Sequence, residues 1–178
     1  MGENTYTNNN IGLEITKPNH WEYMPGAWFD YSKIEIEKIG QMIEEKLVSP
    51  TVFAMMYRPV GEELDVYPTV QCKLSYHPGV DLADGKKILV EQLMNTYEKC
   101  EVLEDTDDFL ISGKRCTSIK IRARAKYITG KVIDFRSQLI IVAYPQYFLL
   151  ISFAGPAEGK FTATDDLISI MSSLRLKY

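Results

Sequence analysis

The side chains that could carry chemistry are few and far apart. The chain holds two histidines, His20 and His77, and three cysteines, Cys72, Cys100 and Cys116. On one strand the Cys72–His77 offset is odd, so the two side chains leave opposite faces and form no nucleophile–base pair there. His20 lies in the turn Lys17-Pro18-Asn19-His20-Trp21, where it either meets a distant group or is simply a turn residue. Three cysteines with no CxxC pair make neither a disulfide framework nor a zinc site, and buried or idle thiols are the simpler expectation. No HExxH, GxSxG, Walker, GxGxxG or EF-hand pattern occurs. No catalytic residue, metal ligand or cofactor is therefore assigned.

Charge is more structured. Glu98, Glu101, Glu104, Asp105, Asp107 and Asp108 crowd one stretch and could offer oxygen ligands to a divalent cation. The stretch lacks the glycine turn and fixed spacing of a calcium loop, so a solvated acidic surface is the plainer reading. Lys114, Arg115, Lys120, Arg122, Arg124 and Lys126 follow with no acid among them. On a strand, Lys120, Arg122, Arg124 and Lys126 share one face. That row reads either as a docking surface for an acidic protein partner or as a solvated face partly neutralised by Asp134 and the acidic stretch. A same-sign row is mildly unfavourable in a strand pair. Trp21, Tyr23, Trp28, Phe29 and Tyr31 cluster beside Pro18, Pro25 and Gly26, which exclude a regular helix or strand. Such a segment lines a groove or caps a core. Trp21 and Trp28 are its candidate binding residues.

These groups must be positioned by strands and helices. Ile11, Leu13 and Ile15 alternate with polar residues and predict a half-buried strand, with an earlier one near Tyr6 and an Asn-rich turn between. A helix is expected from Ser32 to about Leu47, with Ser32 and Glu35 as a capping box and Ile36, Ile39, Ile43 and Leu47 as its stripe. Strands are expected at Val52–Tyr57 and Val70–Tyr76. A second helix is expected from Asp84 to about Glu98, with Ile88, Leu89, Leu93 and Tyr97 inward. A weak strand from Val102 precedes strands at about 109–112, 114–127, 131–143 and from Tyr147 to Phe153. Thr164 to Ser173 reads as the last helix, with Thr164 as cap and Asp165 and Asp166 in its first turn. Parity sets the hairpin near Gly130. A two-residue turn at Thr129-Gly130 would set Arg124 opposite Phe135 and mix the faces, whereas a three-residue loop, Ile128-Thr129-Gly130, pairs Arg124 with Asp134 and Arg122 with Arg136 and keeps the two faces consistent.

The expected fold class is α+β: a single domain over residues 1–178 with a central antiparallel sheet covered by helices. The run Leu139 to Tyr144 predicts central strands covered on both faces. The length suffices for a core without staples. With 20 basic and 24 acidic residues the net charge is −4, which argues against a dedicated nucleic-acid binder. No apolar run approaches the roughly 20 residues of a membrane span. The polar start carries no export pattern. The expected compartment is the cytoplasm if Met1 is native, and an exported one if a signal segment has been removed.

The ends of the chain carry a resemblance. Tyr6-x-Asn8, then Ile11-Gly12-Leu13-Glu14-Ile15, then Pro18-x-x-Trp21, together with a closing helix running into Ser173-Leu174-Arg175-Leu176, resemble the PsbP-like superfamily. That group includes the extrinsic photosystem II subunit and the DcrB-type and Mog-type proteins. The resemblance implies an α/β/α sandwich and a non-enzymatic accessory role exerted by contact with another protein. It transfers no partner and no catalytic residue. The alternative function is a small-molecule or divalent-metal-binding module using the aromatic segment or the acidic stretch. An enzyme with a dispersed site near His20 would require a cleft that sets His20 beside a carboxylate or Cys116.

Overall fold

The computed structural model describes residues 4–9, 11–24, 51–58, 60–61, 63–126, 129–158 and 165–177. The helix expected over 32–47, Trp28 and the Thr164 cap lie outside the described residues. Three strands, β1 (Thr5–Asn8), β2 (Leu13–Thr16) and β3 (Trp21–Tyr23), are followed by β4 (Thr51–Tyr57) and β5 (Thr69–Tyr76). The expectation that Pro18, Pro25 and Gly26 exclude a strand fails at Trp21–Tyr23, because three residues between the prolines suffice to pair antiparallel with β4. Helix α1 (Leu82–Thr96) precedes a run of four longer strands: β6 (Lys99–Ile111), β7 (Lys114–Lys126), β8 (Val132–Ala143) and β9 (Tyr147–Pro156). Helix α2 (Asp165–Ser173) and the short strand β10 (Arg175–Leu176) end the chain.

The strands form two antiparallel sheets. The large one has the order β3-β4-β5-β9-β8-β7-β6, and the small one β1-β2-β10. Alternation decides which side chains go to which face of the large sheet. On one face Ile140, Val142, Leu149, Ile151, Val70, Cys72 and Leu74 are buried beneath Leu13, Ile15 and Leu176 of the small sheet and Ile170 of α2. On the other face Ile119, Ile121, Ala123, Leu139 and Ile141 are buried beneath α1. The consecutive apolar run in β8 is thus covered on both sides, as a fully buried strand requires. Each such side chain contributes roughly 1.5–3 kcal/mol by leaving water. The class is α+β, with helices on opposite faces of one antiparallel sheet.

Local chemistry explains the element ends. Asp81 caps α1 by accepting from the Asp84 amide at 2.8 Å, satisfying a donor the helix leaves free. The helix therefore starts before Asp84. Its inward stripe runs through Leu82, Leu89, Val90, Leu93 and Tyr97, with Val90 in the place expected for Ile88. The β7–β8 register pairs Arg124 with Asp134, Arg122 with Arg136 and Lys126 with Val132, and Gly130 has φ +84°. That is the pairing parity demands. The segment 109–112 is not a separate strand. β6 continues as far as Ile111, with irregularities between Val102 and Glu104 and between Thr106 and Phe109, and Ser112 belongs to the turn that follows. Asp108, at φ 44°, takes the left-handed conformation at the second of these, which aspartate tolerates better than most residues.

Candidate functional site

Among the described residues, the basic row lies where the large sheet runs out of cover. In β7 the face that buries Cys116 continues outward through Lys120, Arg122, Arg124 and Lys126. In β8 the face that buries Val142 and Ile140 continues through Gln138, Arg136 and Asp134. The change from apolar to charged therefore occurs along single strands, past the residues that Ile170 of α2 and the small sheet bury.

Most of the row is internally compensated. Lys120 Nζ meets Glu104 at 2.5 Å and Arg122 meets Glu158 at 2.8 Å. Arg124 donates from Nε and Nη2 to the two oxygens of Asp134, both at 2.8 Å. This fork holds the Asp134 carboxyl below its usual pKa range and raises that of the guanidinium. Arg122 and Arg136 stand directly opposite each other in the ladder. Their repulsion is relieved on the Arg122 side by Glu158. Lys126 and Arg136 are exposed and make no ion pair with a described residue.

Beside this row lies a groove of about 520 Å³. Its floor is Lys120, Gln138 and Phe153, which follow one another across β7, β8 and β9, with Arg136 opposite Gly155 in the next row. Leu167, Ile168 and Met171 of α2 form one wall, and Leu103 of β6 lines the groove as well. Leu103 is the residue skipped in the β6–β7 register between Val102 and Glu104. Nothing in the sequence pattern announced this groove, because its wall and floor come from elements separated along the chain.

Four of the six carboxylates of the acidic stretch are held by neighbouring cations. Asp105 and Asp107 both accept from Lys86 of α1. Asp108 pairs with Arg115, and Glu104 with Lys120. Burial acts to lower the Lys86 pKa, and the two carboxylates more than reverse that, so the amine stays charged. Among the described residues no group of three His, Cys, Asp or Glu side chains is arranged to hold a metal ion.

His20 does meet a carboxylate. Its Nε2 lies 2.6 Å from Asp166 Oδ2, and the same oxygen accepts from Trp21 Nε1 at 3.0 Å. Trp21 is only 1% exposed and stacks on Tyr57. It belongs to the core and is not part of an open binding surface. Cys116 is buried and donates to the Lys114 carbonyl. Burial pushes the thiols of Cys72, Cys100 and Cys116 up, which keeps them protonated and poorly nucleophilic. His77 is held by Ser75 at 2.9 Å and packs on Phe148, on the face opposite Cys72.

The architecture defines an α+β sandwich whose open end of one sheet face carries cations and a groove. No family model matches the chain. No curated protein matches it either. Among solved structures it is similar to LpqN of Mycobacterium tuberculosis, a protein involved in cell envelope biogenesis, at 14% identity and a TM-score of 0.49 over 95% of this chain and 83% of that one. It is similar to the cyanobacterial PsbP (CyanoP) of Synechocystis sp. PCC 6803 at 14% identity and a TM-score of 0.49, over 97% of this chain and 91% of that one. Likeness at this level carries no function or partner across.

Proposed function

We propose that this chain is an accessory domain of the PsbP-like type that acts by contacting a protein partner and not by catalysis. The observation that carries the reading is the open basic end of the β7–β8 face. Lys126 stands exposed there with no carboxylate among the described residues, next to Arg122 and Arg124, whose ion pairs are at least partly exposed. Exposed ion pairs contribute only about 0–1 kcal/mol. A partner's carboxylates therefore exchange for Glu158 at little cost. The partner that fits is an acidic protein surface, with charge supplying orientation and encounter rate more than affinity.

The fold type has separate support. The residues that carry the resemblance at the two chain ends build one structure. Leu13 and Glu14 pair with Leu176 and Arg175, Gly12 adopts φ +62° in the turn before them, and Ser173 Oγ accepts from the Thr16 amide at 2.9 Å.

A photo-crosslinking side chain at position 126 tests the reading in the source cells, with the same group at Lys87 on the exposed side of α1 as control. One discrete adduct from position 126, absent from position 87 and lost with Arg122→Glu, is expected. Equal adducts from both positions, or none from position 126, would overturn it. The divalent-metal alternative is weakened by the cations that already hold Glu104, Asp105, Asp107 and Asp108.

A further inference from the structure

Six large hydrophobic side chains are exposed among the described residues, and two of them, Leu103 at 46% and Ile168 at 55%, line the same groove. Single exposed hydrophobics need no explanation, but two lining one concavity with Leu167, Met171 and Phe153 make an apolar trough. Its volume of about 520 Å³ falls within the roughly 300–1,000 Å³ usual for small-molecule sites.

The charges around the trough are asymmetric. Glu104 is taken by Lys120, Glu158 by Arg122 and Asp134 by Arg124. Arg136 is exposed and has no carboxylate among the described residues. Across the ladder from it on β9 stands Gly155, which brings no side chain. On the β7 side stands Arg122, a second guanidinium. One end of the groove thus offers a solvent-facing guanidinium with no carboxylate among the described residues, whereas Leu167, Ile168, Met171, Phe153 and Leu103 offer apolar surface beside the polar floor residues Lys120 and Gln138.

We propose that this groove binds an amphipathic carboxylate, a free fatty acid being the simplest member. Its head accepts hydrogen bonds from Arg136, and its chain lies against Leu167, Ile168, Met171, Phe153 and Leu103. A guanidinium suits this head because its fork matches the two carboxylate oxygens. A cationic amphiphile would gain the same apolar contact and be repelled at Arg136, whose charge no described carboxylate offsets. The ligand site is independent of the protein-contact reading and goes beyond it.

Calorimetric titration of the full chain with decanoate below its micelle threshold tests the proposal. Hexanoate and decyltrimethylammonium serve as tail and head controls. Saturable binding of one decanoate per chain is expected, with both controls weaker. Arg136→Gln should weaken decanoate at least about tenfold, since the charge-assisted hydrogen bonds to the carboxylate head are lost. Ile168→Ser should weaken it as well. Both positions are exposed, and an unchanged urea midpoint for each variant separates lost binding from lost folding. Absence of saturable binding, equal affinity for the cationic amphiphile, or an unaffected Arg136→Gln variant would overturn the proposal. Arg136-dependent binding to phosphatidylglycerol vesicles without decanoate binding would overturn it in favour of a membrane surface.

Discussion

Asp166 ties two parts of the chain together with one oxygen. Its Oδ2 holds His20 and the indole N–H of Trp21, residues about 145 positions away. Burial would raise its pKa, but the bonds from His20 and Trp21 outweigh burial and lower it. A carboxyl whose folded pKa is depressed stabilises the fold above its unfolded pKa, and that contribution is lost as pH falls through the folded value. The stability difference between wild type and Asp166→Asn should therefore shrink as a urea titration series moves below the ordinary carboxylate range. Asp166→Ala leaves the buried indole donor without its acceptor and should cost about 1–3 kcal/mol, more than Asp166→Asn. A pH-independent difference would mean that the charge of Asp166 contributes nothing. At this scale the sequence showed that His20 was available and placed Asp166 near a helix start. It held no sign of their meeting, since local pattern says nothing about contacts at that separation.

At the scale of elements, alternation and turn chemistry were legible wherever one face is buried. The β7–β8 register followed from parity because a slip by one residue would have carried Ile119 and Ile121 to the solvent face. The helix stripe was legible only approximately. Ile88 and Val90 are equally apolar, and which of them turns inward depends on where Asp81 starts α1 and on what the sheet presents. Gly85 of α1 is the sharper case. A Cβ there would overlap the ring of Phe148, so this glycine is required by close packing and not by backbone conformation. Gly85→Ala gains about 1 kcal/mol of helix propensity and meets an overpacking cost of about 1–3 kcal/mol. Net destabilisation by up to about 2 kcal/mol is expected in chemical denaturation. Relief should come from the second change Phe148→Leu, because the clash is with that ring. A Gly85→Ala variant more stable than wild type would show that the ring moves aside freely.

For the whole molecule, the meeting of the two chain ends is the governing feature. β10 pairs with β2, the Lys177 amide donates to the Gly12 carbonyl at 2.6 Å, and the Leu176 amide donates to Ser112 Oγ at 3.2 Å in the β6–β7 turn. Leu174 and Leu176 are both buried in the core shared by the two sheets. Leu176→Ala should cost about 2 kcal/mol or more. It should also release amide protection in β1 and β2 before the large sheet opens, as hydrogen exchange would report. Uniform loss of protection across both sheets would show instead that they open as one cooperative unit.

Determinants carried by short stretches of chain were present in the sequence itself: most of the strands and the body of α1, the faces of the central strands, the register of the β7–β8 hairpin and hence the α+β class; β3 and β10 were not, since strands of two or three residues are too short to show a period. Each depends on periodicity, capping or turn geometry, and those forces act over a few residues. The tertiary structure decided what those faces meet. It neutralised three members of the basic row with Glu104, Glu158 and Asp134, spent most of the acidic stretch on Lys86, Arg115 and Lys120, and drew Trp21 into the core. It also left Arg136 without a carboxylate among the described residues, at the end of a largely apolar groove between α2 and the sheet. Coulombic and apolar contacts depend on distance in space, and only the folded chain sets that distance.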